Sequence, residues 1–263
     1  MSIFGTPRFG RILVAMAAVA ALGIAGLGGA AAKEWKTVRI GTEGAYPPFN
    51  YIDSNGKLQG FDIDIANALC AQMKVECTLV AQDWDGIIPG LLAGKYDAII
   101  ASMSVTEERK QTVDFTERYY RTPLALIGPK EAAEDVSPEA MRDKVVGAQS
   151  STTQAIYAEE KYAPAGAEVK LYPTQDEANL DLANGRLDAI IGDKFVIAEW
   201  VKKDDGACCK LLGDAPDTTT DTAIAVRKDD PDLKAMLNAA IDGIRADGTY
   251  AKIVAKYFDF DIY

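Results

Sequence analysis

The stretch ASMSVTEERK, Ala101 to Lys110, follows a strongly apolar run and sets Ser102, Ser104 and Thr106 ahead of an acidic helical turn that contains Arg109. Hydroxyls in such a place cap the backbone N–H groups of a helix start, and a helix start attracts anions. An arginine nearby can grip a carboxylate with two parallel hydrogen bonds. By helical pattern alone, however, Arg109 beside Glu107 and Glu108 is a solvated, salt-bridging face. Asp193 closes the apolar run DAIIGD with no basic neighbour before Lys194, a costly place for a carboxylate unless a cation reaches it. A second hydroxyl-dense turn, GAQSSTTQAIY, brings Gln149, Thr152, Thr153 and Gln154 to another helix start, where simple capping needs only one of them. GTEGAYPPFN combines Glu43 and Tyr46 with two stiffening prolines, and QDWDG sets Trp84 between two aspartates. Aromatic faces beside carboxylates suit a flat or cationic group. Asp62 can either cap the helix it opens or touch a ligand.

Composition removes many other chemistries. The 263 residues contain no histidine, which excludes imidazole metal sites and every Ser-His or Cys-His catalytic arrangement. Net charge is −11, from 28 basic and 39 acidic residues without a basic cluster, so nucleic acid and anionic membranes are poor partners and a cationic or zwitterionic one fits better. With 48% hydrophobic residues the chain can bury one sizeable core or two smaller ones. Arg8 and Arg11, then ILVAMAAVAALGIAGLGG, then Ala30-Ala31-Ala32 have the order of a secretory signal, with cleavage expected after Ala32. An uncleaved anchor is the alternative, disfavoured by the Ala and Gly content and the small-residue end. Export makes the four cysteines disulfide candidates. A Cys70–Cys77 bridge would staple a helix to the next strand. Cys208 and Cys209 are adjacent, and alternation along a strand would strain a bond between them, so free thiols and a vicinal disulfide both stay open.

These residues need elements to hold them. TVRIG and TLVAQ read as strands around the helix FDIDIANALCAQM, whose Ile65, Ala66, Leu69 and Met73 share a face. DAIIAS, KVVGAQ, EVKLY and DAIIGD read as further strands. Between them fall a helix over about Thr152 to Lys161 and one opened by the capping box Thr174-x-x-Glu177. Ser137 with Pro138 starts another turn, GDAPDTTTD reads as a connection, and the tail divides into two helices near Asp247-Gly248. Such alternation predicts an α/β fold with parallel sheets covered by helices. LLAGKYDAIIAS, residues 91–102, repeats as LANGRLDAIIGD, residues 182–193, which points to two similar α/β lobes. Ligands of parallel sheets sit outside the carboxyl ends of the strands, here at Ser102 and Asp193.

VRIGTEGAYPPFNY, GFDIDIANALC, DWDGIIPGL, DAIIASMSVTEERKQTVDFTERYY, SSTTQ, GRLDAIIGD and DGTYAKIVAKYFDFDIY together resemble the periplasmic amino-acid-binding proteins of ABC importers, closest to the lysine/arginine/ornithine- and histidine-binding group. The resemblance spans the chain after the signal. It implies the flytrap-like type II fold, two lobes joined by two hinge strands. The lobes would be 33–121 plus 223–263 and 122–222, with hinges near 120–124 and 217–223. It implies that Arg109 holds the ligand α-carboxylate, helped by Ser102, Ser104 and the N–H groups around Thr152 and Thr153, while Asp193 takes the α-ammonium. Tyr46 and Trp84 would sandwich the side chain, Glu43 and Asp62 would meet its distal positive end, and Gln149 and Gln154 would line the second lobe. Cys70 and Cys77 match the pair that forms a disulfide in this group. The chain departs from the group in having Glu43 for Asp, Ala101 for Ser and Gln149 for an apolar residue.

The expectation is therefore a monomeric periplasmic receptor, without metal or cofactor, that binds a basic L-amino acid such as arginine, lysine, ornithine or histidine and delivers it to an inner-membrane permease. The alternatives are a cyclohexadienyl dehydratase-like enzyme on the same scaffold and a receptor for an amino-acid derivative such as an opine.

Overall fold

The computed structural model describes residue 1 and residues 33–263; the body of the leader assigned to residues 1–32 lies outside the described residues. In chain order come β1 (Thr37–Thr42), β2 (Ala45–Tyr46), β3 (Asn50–Ile52), β4 (Leu58–Gln59), α1 (Phe61–Met73), β5 (Glu76–Ala81), α2 (Ile87–Leu92) and β6 (Ala98–Ile99). Then follow α3 (Glu107–Thr112), β7 (Asp114–Thr122), β8 (Leu124–Pro129), β9 (Val145–Gln149), α4 (Thr153–Tyr157), β10 (Glu168–Tyr172), α5 (Gln175–Ala183), β11 (Ala189–Asp193) and α6 (Lys194–Trp200). The chain closes with β12 (Cys209–Asp214), β13 (Thr220–Val226), α7 (Pro231–Ala246) and α8 (Thr249–Tyr257). Among the described residues no helix is long and apolar enough to cross a membrane.

Two five-stranded sheets result, ordered β5-β1-β6-β13-β7 and β10-β9-β11-β8-β12, beside a small β2-β3-β4 sheet. Each large sheet begins with three parallel strands, as alternation of strand and helix requires, but its last two pairings are antiparallel. The expectation of parallel sheets is corrected to mixed ones. The reason is that β7–β8 and β12–β13 run from one sheet into the other, so the crossing strands enter against the local direction.

The Ala-Ile-Ile runs are central because both their faces are apolar. In the first lobe Ala98 and Ile100 join one buried cluster with α1, α7 and α8, while Ile99 and Ala101 join a second with α2. In the second lobe Ala189 and Ile191 face one cluster, Ile190 the other. Alternate side chains of a strand point to opposite faces, so each run closes two cores at once.

The internal repeat extends to backbone detail. Gly94 and Gly185 both adopt left-handed conformations, φ 73° and 70°, after α2 and α5. Asp97 accepts the N–H of Arg39 at 3.0 Å in β1, and Asp188 that of Val145 at 2.8 Å in β9. Gly41 pairs with Ile99 as Gly147 does with Ile190. A methyl group at Gly41 would sit 2.6 Å from the Tyr96 ring, and one at Gly147 2.5 Å from Leu187, the residues that correspond in the repeat.

Cys70 and Cys77 are joined by a disulfide between α1 and β5. Cys208 and Cys209 are joined as well. Strand alternation does not oppose that bond because β12 begins only at Cys209, leaving Cys208 in the preceding turn.

Candidate functional site

One cavity lies between the lobes, lined by Glu43, Tyr46, Trp84, Ala101, Ser102, Ser104, Arg109, Thr122, Leu124, Gln149, Thr152, Thr153, Gln154 and Asp193. The first lobe contributes the turn after β1, the turn after β5 and the segment from β6 to α3. The second contributes the ends of β9 and β11 and the start of α4. Both sets lie at carboxyl ends of parallel strands, where successive strand-to-helix turns leave a crevice.

The cationic end is built by α3. Thr106, not Ser104, is its cap, with its hydroxyl accepting the N–H of Arg109 at 3.1 Å. This turns the half-buried Arg109 back toward the cavity. Its guanidinium donates to the carbonyls of Ser104 at 2.9 Å and Ser151 at 3.2 Å, and sits 5.3 Å over the centre of the Trp84 ring. It makes no ion pair with a carboxylate of the described residues, and withdrawal from water lowers its proton affinity to about 10.

The anionic groups show the complementary state. Asp193 is 4% exposed and accepts from the Thr122 hydroxyl at 2.9 Å, the Phe195 N–H at 2.9 Å and the Tyr120 hydroxyl at 3.3 Å. All three donors are neutral, while Lys194 turns away to Asp214. Burial therefore pushes the Asp193 carboxyl up to about 6. Glu43, 7% exposed, accepts from the Gln149 amide at 2.6 Å and is pushed up to about 7, first by burial. Among the described residues, one half-buried arginine lacking an acid and two buried acids lacking a base thus share a single cavity.

Hydrogen bonds span the crevice. Besides Gln149 to Glu43, Gln154 donates to the Tyr46 hydroxyl at 3.1 Å, the Trp84 ring nitrogen to the Ser151 carbonyl at 3.1 Å, and Ser150 to Asp85 at 3.2 Å. The lobes are drawn together over the cavity by these hydrogen bonds and by the one from Arg109 to Ser151.

Of the residues nominated from sequence, Asp62 alone does not line the cavity. It is completely buried in the first turn of α1 and caps nothing, since Gly60 precedes the helix without a side-chain cap. Asp62 accepts from Asn50 at 2.8 Å, Ser102 at 2.9 Å and Tyr119 at 2.8 Å, and burial raises it to about 6. It is corrected from a ligand contact to the support beneath Ser102. Ser102 also changes character. Its hydroxyl donates to Asp62 and its N–H to the Tyr119 oxygen, in a left-handed conformation at φ 53°. With that bond made, the lone pairs of its hydroxyl face the cavity. Thr152 is the α4 cap, accepting from Ala155 and donating to the Gln149 carbonyl, while Thr153 donates to Gln154.

Sequence reading missed Thr122 and Leu124, which line the cavity at the crossing, and Ser151, whose carbonyl holds both Arg109 and Trp84. The hydroxyl-rich turn flagged Ser151 weakly. Nothing in local spacing flags Thr122, because its partner Asp193 is 71 residues away.

Residues 38–260 match the family model of the bacterial extracellular solute-binding proteins, family 3. The L-arginine-binding protein of Pseudomonas aeruginosa is 46% identical over 234 residues, which cover 87% of this chain and 90% of that protein. The lysine/arginine/ornithine-binding periplasmic protein of Escherichia coli is 40% identical over 233 residues, covering 87% of this chain and 90% of its own. Among solved structures, an ancestral arginine-binding protein bound to arginine matches with a TM-score of 0.80 and 38% identity, over 85% of this chain and 98% of that one.

Proposed function

This chain belongs to the bacterial extracellular solute-binding proteins, family 3, and from that premise we propose that it is the periplasmic receptor of an ABC importer for a basic L-amino acid. It is exported by a signal in residues 1–32, acts as a monomer and hands its ligand to an inner-membrane permease. The observation that carries this reading is the uncompensated charge in one cavity: Arg109 without an acid, Asp193 and Glu43 without a base. An amino acid with a cationic side chain supplies one carboxylate and two cations, the complement of that set.

In this reading Arg109 forks onto the α-carboxylate, with the N–H groups around Thr152 and Thr153 beside it. Asp193 holds the α-ammonium, and the Ser102 hydroxyl accepts from the same group. Tyr46 and Trp84 flank the aliphatic stem, Gln154 closes over Tyr46, and Glu43 meets the distal cation. Asp62 acts one layer below, holding Ser102 in place. The lobes, 33–121 with 223–263 and 122–222, close about hinges near 120–124 and 217–223. There β7 and β13 pair, Arg121 contacts Asp221 at 2.7 Å and the Thr218 hydroxyl accepts the Leu124 N–H at 3.0 Å. The names of the relatives, arginine- and lysine/arginine/ornithine-binding proteins, support a basic ligand and a receptor instead of a catalyst.

A thermal-shift panel of amino acids tests the reading. Arginine, lysine, ornithine or histidine at a hundredfold excess over its dissociation constant should stabilise the fold by about 3 kcal/mol. Aspartate and glutamate should do nothing. No shift with any basic amino acid contradicts the proposal.

A further inference from the structure

Gln149 stands where the resembling group carries an apolar residue, and its contacts define what it does. It is 2% exposed at the end of β9, and its amide nitrogen donates to Glu43 Oε1 at 2.6 Å and to the Pro173 carbonyl at 3.1 Å. Pro173 follows β10 in the same lobe, so the amide is anchored at home and aimed across the crevice. Both amide hydrogens are engaged within the protein, leaving none to donate to a ligand.

Among the described residues Glu43 accepts no other hydrogen bond. The acids that act on it are Asp83 and Asp85 in the turn after β5 and Asp176 at the start of α5, with Lys203 acting on Asp176, while Arg109 and Asp193 line the same cavity and Glu177 lies on its outer side. Every one of these acids favours the protonated form of Glu43, as burial does. Among the described residues the Gln149 hydrogen bond is the influence that opposes them, because a donor to the charged form favours that form.

We propose that Gln149 is a positioning and specificity-determining residue: by donating across the crevice to Glu43 it favours the charged form of that carboxylate, so that the pair, and not Glu43 alone, selects cationic over neutral side chains. The inference rests on the amino-acid-receptor reading above. A charged Glu43 attracts an ammonium or guanidinium. A protonated Glu43 offers a neutral hydroxyl, which suits a carboxamide or ureido side chain of similar length equally well. Selectivity therefore follows the proton on Glu43, and Gln149 lowers the pH at which that proton leaves.

Calorimetric affinities for arginine and citrulline between pH 5.5 and 8.5 test this. The two ligands share α-groups, so their affinity ratio cancels the titration of Asp193 and isolates Glu43. In the wild type the ratio should rise with pH, by up to about tenfold per pH unit near pH 7 and below, then level off. In Gln149→Met, which keeps length but removes the donor, the midpoint should move to higher pH and the ratio at pH 7 should fall about threefold or more. Glu43→Gln should make the ratio independent of pH, a check that stands even if Gln149→Met fails to fold. An unmoved midpoint in Gln149→Met, with both ligands weakened equally, would make Gln149 a mere lobe contact and overturn the inference. So would a pH-dependent ratio that survives in Glu43→Gln. A wild type that binds no arginine at all overturns the receptor reading and this inference with it; arginine binding with an unmoved midpoint overturns the inference alone.

Discussion

Arg109 keeps its charge in a crevice that offers it two carbonyls and an aromatic face but no carboxylate. Arg109→Ala should therefore leave an amino-acid carboxylate unpaired in the crevice and weaken every ligand by about 2–3 kcal/mol, a loss of about 30-fold to 150-fold read by calorimetry. Unchanged affinity would return Arg109 to the role its helical pattern alone describes. Protons give a second residue-scale prediction. Glu43, Asp62 and Asp193 hold protons more tightly in the folded chain, at about 7, 6 and 6, than their ordinary values of 4.5, 3.8 and 3.8. The stability they contribute is complete below those ordinary values and is lost as pH rises through 6 to 7. Asp97 and Asp114, held low by arginine and lysine partners, lose their contribution only in more acid solution. Ligand-stripped protein should thus melt several degrees lower at pH 8 than at pH 5, and saturating arginine should flatten that slope. A melting temperature that rises from pH 5 to pH 8 without ligand would contradict this account. Residue types made these groups visible in the sequence. Their facing did not, because whether Asp62 meets the cavity or Ser102 depends on Asn50 and Tyr119, which lie 12 and 57 residues away in sequence.

Elements were easier to read than contacts, because periodicity and caps are local. The helix FDIDIANALCAQM, the Thr174 cap with its bond to the Glu177 N–H and the break at Gly248 all appear where the sequence places them. The cap of α3 was open between Ser104 and Thr106, and Ser104 is instead bridged to Thr222. Such a long-range pairing has no local signature. The antiparallel halves of the sheets were misread for the same reason. The packing around the repeated glycines can be tested directly. Gly147 lies against Leu187 and Tyr172, so Gly147→Ala must displace packed side chains and should cost about 1–3 kcal/mol in urea unfolding. The substituted site lies in the core of the second lobe, outside the cavity lining. Loss below half a kcal/mol would show that this contact relaxes freely.

At the scale of the whole molecule, two lobes with the same strand, glycine and aspartate pattern bring the ends of corresponding strands, Ser102 and Asp193, to one crevice. The repeated twelve residues announced that symmetry in the sequence. The bonds that cross the crevice, Gln149 to Glu43 above all, were not visible there, because they form between residues about a hundred positions apart. This crevice takes a single basic amino acid. Titration calorimetry of arginine into protein freed of bound ligand by unfolding and refolding tests it most directly. One arginine per chain should bind saturably and be competed by lysine; the absence of heat from arginine, lysine, ornithine and histidine alike would show that the crevice is not a basic-amino-acid site.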